Sequence, residues 1–309
     1  MIPERRRFLA ALGAVCLAAL YVEANRQEIL SSAFASSVAR KSRSLPDFLW
    51  GVTADEVTDL QAISKSMKAL PVMPITRVVF NPPQPPSAYR HAVEALHPIT
   101  YMMGQPVDSS EVKHMDLPTY GKRFSEYLQA FGDSVDLWEV GNEINGEWLG
   151  STEHVVSLIT RAYDIVSAAG KLTALTFYYQ PRKTVSPGHE MIAWAKKHVP
   201  ASIKQGLDYA LVSYYEVDND NIRPTPMEWT RIFSELSSIF RNAKVGFGEI
   251  GLDHPADSKD LARAENIMEY YYGLNIPLAN YVGGYFWWYF AEDCVPDSKP
   301  LFKELKKLV

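Results

Sequence analysis

The sequence predicts an α/β chain, a single (β/α)8 TIM barrel preceded by an N-terminal signal segment. Three observations predict it. After Pro46, short apolar runs alternate with helix-like stretches eight times at roughly 30-residue spacing, the pattern of a parallel sheet wound into a barrel. The apolar runs are continuous rather than alternating, as strands buried on both faces read. The 309 residues accommodate a barrel of roughly 250 residues plus an extension.

In order, strand one is predicted over 48–53 and its helix over 60–70. Strand two covers 75–80, followed by a proline-rich loop, 81–86, with Ser87 as N-cap of a helix to 96. Strand three covers 99–103 and its helix 120–131; strand four covers 135–140 and its helix 153–169. Strand five (172–178) precedes a short helix (190–198), and strand six (207–214) precedes a helix over 226–241. Strand seven runs from 244 to near Glu249, before a helix over 258–274. Strand eight (281–289) and a closing helix (299–308) complete the set. No linker or low-complexity break follows Pro46, so residues 36–309 are read as one domain.

Residues 1–35 read differently. Arg5, Arg6 and Arg7 precede an uncharged apolar run over 8–22, the basic and hydrophobic regions of an export signal. Arg5-Arg6-Arg7-Phe8-Leu9 resembles the twin-arginine motif. Ala33-Phe34-Ala35 is the favoured cleavage site, and Val22-Glu23-Ala24 a weaker one. The run is shorter than the roughly 20 residues that span a bilayer, so a periplasmic or secreted protein is expected. An uncleaved N-terminal membrane anchor is the alternative.

The net charge of −5 gives no basis for nucleic-acid binding. Cys16 and Cys294 are the only cysteines, and the seven histidines are scattered without a close ligand pair. No metal site and no cofactor is expected. A monomer is expected.

The catalytic expectation rests on two carboxylates. Glu143 lies where strand four stops and a loop begins, and Glu249 lies at the end of strand seven. Active-site residues of such barrels stand at the C-terminal strand ends. Two carboxylates facing each other across the mouth suit glycoside hydrolysis. One protonates the leaving oxygen, and the other acts as nucleophile or base.

The motifs Trp138-Glu139-Val140-Gly141-Asn142-Glu143 and Gly248-Glu249-Ile250-Gly251 resemble those of the clan A glycoside hydrolases. These are retaining (β/α)8 enzymes acting on β-linked glycans. The resemblance implies Glu143 as acid/base, Glu249 as nucleophile and Asn142 as the neighbour that binds the sugar 2-hydroxyl. It implies that Arg77, a charge inside an apolar strand, contacts Glu249 and keeps it ionised. Tyr215, in preference to Tyr214, is read as the strand-six tyrosine that hydrogen-bonds the nucleophile. Trp288, in preference to Trp287, is read as the floor of the sugar subsite. An oligo- or polysaccharide is the expected partner, and a carbohydrate-binding barrel without turnover is the rival reading.

Trp50, Trp148, Tyr178 and Tyr179 are further strand-end aromatics, with packing as the competing explanation for each. Glu139 is read as structural, able to pair with a cation inside the barrel. Glu147, Glu216, Glu292 and Asp293 are loop acids to which spacing assigns no role. The sequence departs from the clan pattern at Ile144, where many members have Pro, and at Gly141, where many have an aromatic. Short loops on most of the barrel suit an open groove and a polymeric substrate.

Overall fold

The computed structural model describes residues 43–181 and 185–309. The expected signal segment and both of its cleavage sites lie outside the described residues. Among the described residues no helix is long and apolar enough to cross a membrane.

The strands are β1 (Leu49–Ala54), β2 (Ile75–Val79), β3 (Tyr101–Gln105), β4 (Leu137–Gly141), β5 (Leu172–Tyr178), β6 (Tyr209–Tyr214), β7 (Lys244–Ile250) and β8 (Gly283–Trp287). They close in sequence order into one barrel, every neighbouring pair parallel. Helices Leu60–Lys68, Arg90–Leu96, Leu117–Phe131, Thr152–Ala168, Met191–His198, Pro226–Ile239, Leu261–Tyr272 and Pro300–Leu308 follow the strands in turn. Strand five was predicted to the residue, and the other boundaries shift by one or two residues at most ends.

Local chemistry explains the helix starts. Asp59, Asp116 and Ser151 each accept a hydrogen bond from a backbone N–H of the first turn. Thr225 and Glu228 form a reciprocal capping box, with Pro226 at the first helical position. Ser87 is a correction. It lies inside a 3-10 turn, Pro86–Tyr89, that Pro85 and Pro86 start without a side-chain cap, and the α-helix begins only at Arg90. Among the described residues, three short α-helices, Ser109–Val112, Ala201–Gly206 and Phe290–Cys294, and a 3-10 turn, Glu147–Leu149, were not anticipated.

The barrel interior is layered. Its lower layer is apolar: Leu49, Ile75, Met103, Leu137, Ala174, Leu211 and Phe286 belong to one buried cluster. Side chains two residues apart on a strand share a face. One step further toward the mouth, Ile75 gives way to Arg77, Leu137 to Glu139, Ala174 to Thr176 and Leu211 to Ser213. All four are buried. Outside the barrel, Trp229 is fully buried among Tyr179, Tyr214, Phe233, Phe247 and Tyr271.

The seam between β7, β8 and β1 depends on glycine. Gly284 has φ +94°, and a Cβ there would collide with the Phe247 carbonyl. A Cβ on Gly51 would likewise collide with the Gly284 carbonyl oxygen. Backbone in a closed barrel has little room to retreat. Gly51→Ala is therefore predicted to lower unfolding free energy by about 3 kcal/mol, read from the denaturant midpoint. A change under about 0.5 kcal/mol would show that the seam is not tight.

Candidate active site

The polar layer and the loops above it converge on Glu249. Arg77 Nη1 donates to its Oε1 at 2.6 Å, and Asn142 Nδ2 donates to the same oxygen at 2.7 Å. Tyr215 Oη donates to Oε2 at 2.9 Å, and Ser213 Oγ lies 3.1 Å from it. Ser213 Oγ also lies 2.6 Å from Glu143 Oε1, while Ser109 Oγ donates to Glu143 Oε2 at 2.8 Å. Four of the six sequence-predicted site residues, Glu249, Arg77, Asn142 and Tyr215, thus touch directly. Glu143 joins them through Ser213.

Each group is held by its strand. Arg77 is fully buried and points into the barrel, not to a surface rim. Its second nitrogen, Nη2, donates to Glu139 Oε1 at 2.7 Å, so one guanidinium spans two carboxylates. Glu139 also accepts from the Thr176 hydroxyl. Asn142 is oriented by the Ser109 N–H, which donates to its Oδ1 at 3.0 Å. Glu143 itself adopts φ +49°, the left-handed region that non-glycine residues seldom occupy. Gly146 N–H donates to the Glu143 carbonyl at 2.7 Å, closing a tight turn that aims the carboxyl group. Local strain of this kind collects at functional sites.

The space above is a cavity of about 430 Å³ lined by Asp108, Ser109, Glu143, Trp148, Tyr178, Gln180, Tyr215, Asp218, Glu249 and Trp288. Its size is that of a small-molecule or sugar site. Trp288 is half-buried and faces the cavity, while Trp287 is fully buried with its Nε1 donating to Asp293 at 2.8 Å. Trp148 and Tyr178 line the cavity as well. Trp50 and Tyr179 do not: Trp50 packs on Phe48, Tyr272 and Tyr285, and Tyr179 on Tyr214 and Trp229. Of the loop acids, Glu216 is ion-paired with Arg223 at 2.5 Å. Asp293 accepts from Trp287 and from the Ala256 N–H. The clan aromatic has no room at Gly141, because a Cβ there would lie 2.6 Å from Ile144 and 2.7 Å from Ile159.

Ser109 and Ser213 were missed. Ser213 left one signal, a hydroxyl in the otherwise apolar run Leu211-Val212-Ser213-Tyr214. Ser109 left none, since Asp108-Ser109-Ser110 reads as an ordinary helix cap, which Asp108 also is.

Electrostatics separate the carboxyl groups. Burial, then the nearby charge of Glu249, pushes Glu143 well above the ordinary carboxyl range. Burial raises Glu139 to about 7 against the opposing pull of Arg77. Burial works against the charge of Arg77, but Glu139 and Glu249 outweigh it and its pKa is raised. Among the described residues no group of three or more His, Cys, Asp or Glu is placed to hold a metal ion.

Glu139 and Glu143 keep protons in the folded chain that the unfolded chain loses above the ordinary glutamate pKa of 4.5. Their contribution to stability is therefore present below that pH and declines as pH rises toward 7. Glu139→Gln is predicted to make this decline shallower, by on the order of 3 kcal/mol between pH 4.5 and 7. Parallel stability profiles of the two proteins, from urea unfolding at each pH, would contradict it.

No family model matches the sequence, and no curated protein matches it. Solved structures do match. A GH10 xylanase from Bispora sp. MEY-1, solved with xylobiose, is similar with a TM-score of 0.57 at 12% identity, over 90% of this chain and 99% of that one. A glycoside hydrolase family 5 enzyme from Prevotella bryantii B14, in complex with a xyloglucan tetradecasaccharide, gives 0.56 at 12% identity, over 85% and 96%. A beta-glucosidase from Thermotoga maritima gives 0.52 at 14% identity, over 81% and 90%. At these identities the likeness is one of fold: the chain shares the fold of these structures, in its case a closed eight-stranded parallel barrel.

Proposed function

We propose that the chain is a retaining glycoside hydrolase that cleaves β-linked bonds in an oligo- or polysaccharide by double displacement. The observation that carries this is the Ser213 hydroxyl between the two carboxylates. Glu143 Oε1 and Glu249 Oε2 lie 2.6 and 3.1 Å from it, so these two oxygens are no farther apart than those distances added together. Two carboxyl groups bridged by one hydroxyl suit the close spacing of a retaining pair, roughly 5–5.5 Å between groups, better than the wider gap an inverting pair keeps for its water.

The proton count fits the same reading. One hydroxyl hydrogen serves two carboxylates, so one carboxyl must bring its own. With Glu143 protonated, its O–H donates to Ser213 Oγ, and the Ser213 hydroxyl donates to Glu249. Glu249, also receiving Arg77, Asn142 and Tyr215, is the ionised partner and the nucleophile. It attacks the anomeric carbon while Glu143 gives its proton to the departing oxygen. Glycosylation removes the charge on Glu249, and with it part of what holds the proton on Glu143. Glu143 then accepts a proton from the water that cleaves the glycosyl-enzyme. Asn142, Arg77, Tyr215 and Trp288 bind the sugar and position the nucleophile.

Proton NMR of the first product formed from a β-linked substrate is expected to show the β-anomer. Glu249→Ala abolishes turnover and Glu143→Ala lowers kcat/KM by about 10²–10⁴-fold. An α-anomeric first product sinks the retaining mechanism. Glycan binding without turnover, unaffected by either substitution, makes the chain a carbohydrate-binding barrel instead.

Export is proposed from the basic and apolar pattern of residues 5–22. Amino-terminal sequencing of protein recovered from the periplasm or medium should begin at or near residue 36. Recovery only as the full-length chain in the membrane fraction would favour the anchored form.

A further inference from the structure

Glu292 stands outside the site, in the short helix Phe290–Cys294 that begins two residues after Trp288. There it meets Asp55, the first residue after β1, and the two side chains hydrogen-bond to each other. Both residues are half-buried, but Asp55 Oδ1 and Glu292 Oε2 are shut off from solvent. Among the described residues no amide, amine or hydroxyl donor reaches either oxygen. Two carboxyl groups in contact with no outside donor must supply the hydrogen themselves. One proton held by both does this, whereas two bare carboxylates would repel.

The surroundings favour keeping that proton. Burial, then Glu292, lifts Asp55 to about 7, and burial raises Glu292 as well. Glu56 adds negative charge beside both, and Asp293 beside Glu292. Burial, then Asp55 and Glu292, raises the Tyr289 hydroxyl, which therefore stays neutral. The cations of adjoining segments are committed elsewhere. Lys299 donates to the Glu292 backbone carbonyl, and Lys65 pairs with Asp297 at 2.9 Å. His254 sits between Asp253 and Asp260, at 2.7 and 3.1 Å. The helix Pro300–Leu308, which packs on this short helix, buries only apolar side chains: Leu301, Phe302 and Leu305.

The pair sits where it can control Trp288. Asp293 ties the short helix to β8 and to the loop after β7, accepting from Trp287 Nε1 and the Ala256 N–H, both at 2.8 Å. The Asp55–Glu292 contact ties it to the end of β1. Asp55 is itself held, its carbonyl accepting from Asn81 Nδ2 at 3.2 Å. Trp288 leads into this helix with its ring on the cavity. We propose that Asp55 and Glu292 form a proton-sharing latch that holds segment 288–294 against β1, and that loss of the shared proton releases it and moves Trp288 off the cavity. The proton passes to water and leaves two carboxylates facing each other. Because folding raises the pKa of Asp55, the latch is closed in acid and opens as pH rises through about 7.

The test reads the latch without any substrate, so its failure is separable from failure of the glycosidase reading. Amide hydrogen exchange of peptides covering 288–294 is followed by mass spectrometry and divided by the intrinsic rate at each pH. In the wild type, protection of this segment is expected to fall at least about fivefold between about pH 6 and about pH 8.5, while β5 and β6 stay within about twofold. Asp55→Asn presents an amide donor to Glu292 at every pH and should abolish the fall. Glu292→Gln does the same from the other side and serves if the first variant does not fold. Glu139→Gln, which removes another carboxyl titrating near 7, should leave the fall in place.

Wild-type protection at 288–294 that stays within about twofold across this range overturns the latch. So does a fall of wild-type size in the amide variants, or a fall that disappears in Glu139→Gln.

Discussion

One guanidinium sets the charge state of the barrel's centre. Arg77 is fully buried on β2, with Glu249 on one nitrogen and Glu139 on another. A buried cation is tolerable only with partners of this quality, and leaving either carboxylate alone would be costly. Three buried carboxyl groups, Glu139, Glu143 and Glu249, gather here around a single cation, which pairs with Glu139 and Glu249. They cannot all be charged without a large excess of negative charge in a low-dielectric space. Burial therefore keeps protons on part of the cluster, and Glu143, which does not touch Arg77, lacks the direct cation contact that opposes burial at Glu139. The raised pKa of Glu143 follows from burial and from exclusion by its neighbour, and that is what a proton donor needs.

The layering of the strands makes this arrangement reachable. An apolar layer fills the lower barrel, so the polar layer above it has no water beneath and only the mouth opposite. Parallel register brings Ser213 beside Glu249 on adjoining strands. Ser213 then links the carboxylates of β7 and of the loop after β4, which no local contact along the chain would bring together. The left-handed turn at Glu143 and the Asn145 hydrogen bonds fix the loop that carries both Glu143 and Trp148. Glu143 and the cavity-lining Trp148 are thus carried by one short segment, 142–148.

Much of this was legible before any coordinates. Continuous apolar runs revealed the strands, and polar residues interrupting them revealed the interior, Arg77 above all. Glu143, Glu249, Asn142 and Tyr215 could be placed because each sits at a strand end within a motif. The Tyr215 choice over Tyr214 rested only on nearness to the loop, yet alternation along β6 puts Tyr214 outward against Trp229 and Tyr215 inward. Glu139 was read as a structural partner for an internal cation, and its partner is Arg77. Its further influence, a carboxyl titrating near 7 beside Glu249, depends on burial that sequence does not report. Ser109 was hidden for a different reason. Its contact with Glu143 is made from the neighbouring connection, after β3, by a helix of four residues, too short to leave a periodic signal. Ser87 misled because the adjoining prolines, not its hydroxyl, start the turn.

The central claim is that Glu249 forms a bond to sugar carbon. The most direct measurement is mass spectrometry of the protein after incubation with 2-deoxy-2-fluoro-β-glycosyl fluorides of glucose, xylose and mannose. The fluorine slows the second displacement and lets the intermediate accumulate. The account predicts a mass increase of one fluorosugar, with the label mapping to the peptide containing Glu249 and absent from Glu249→Ala. A label on another residue, or turnover of these fluorides without any covalent adduct, would contradict it.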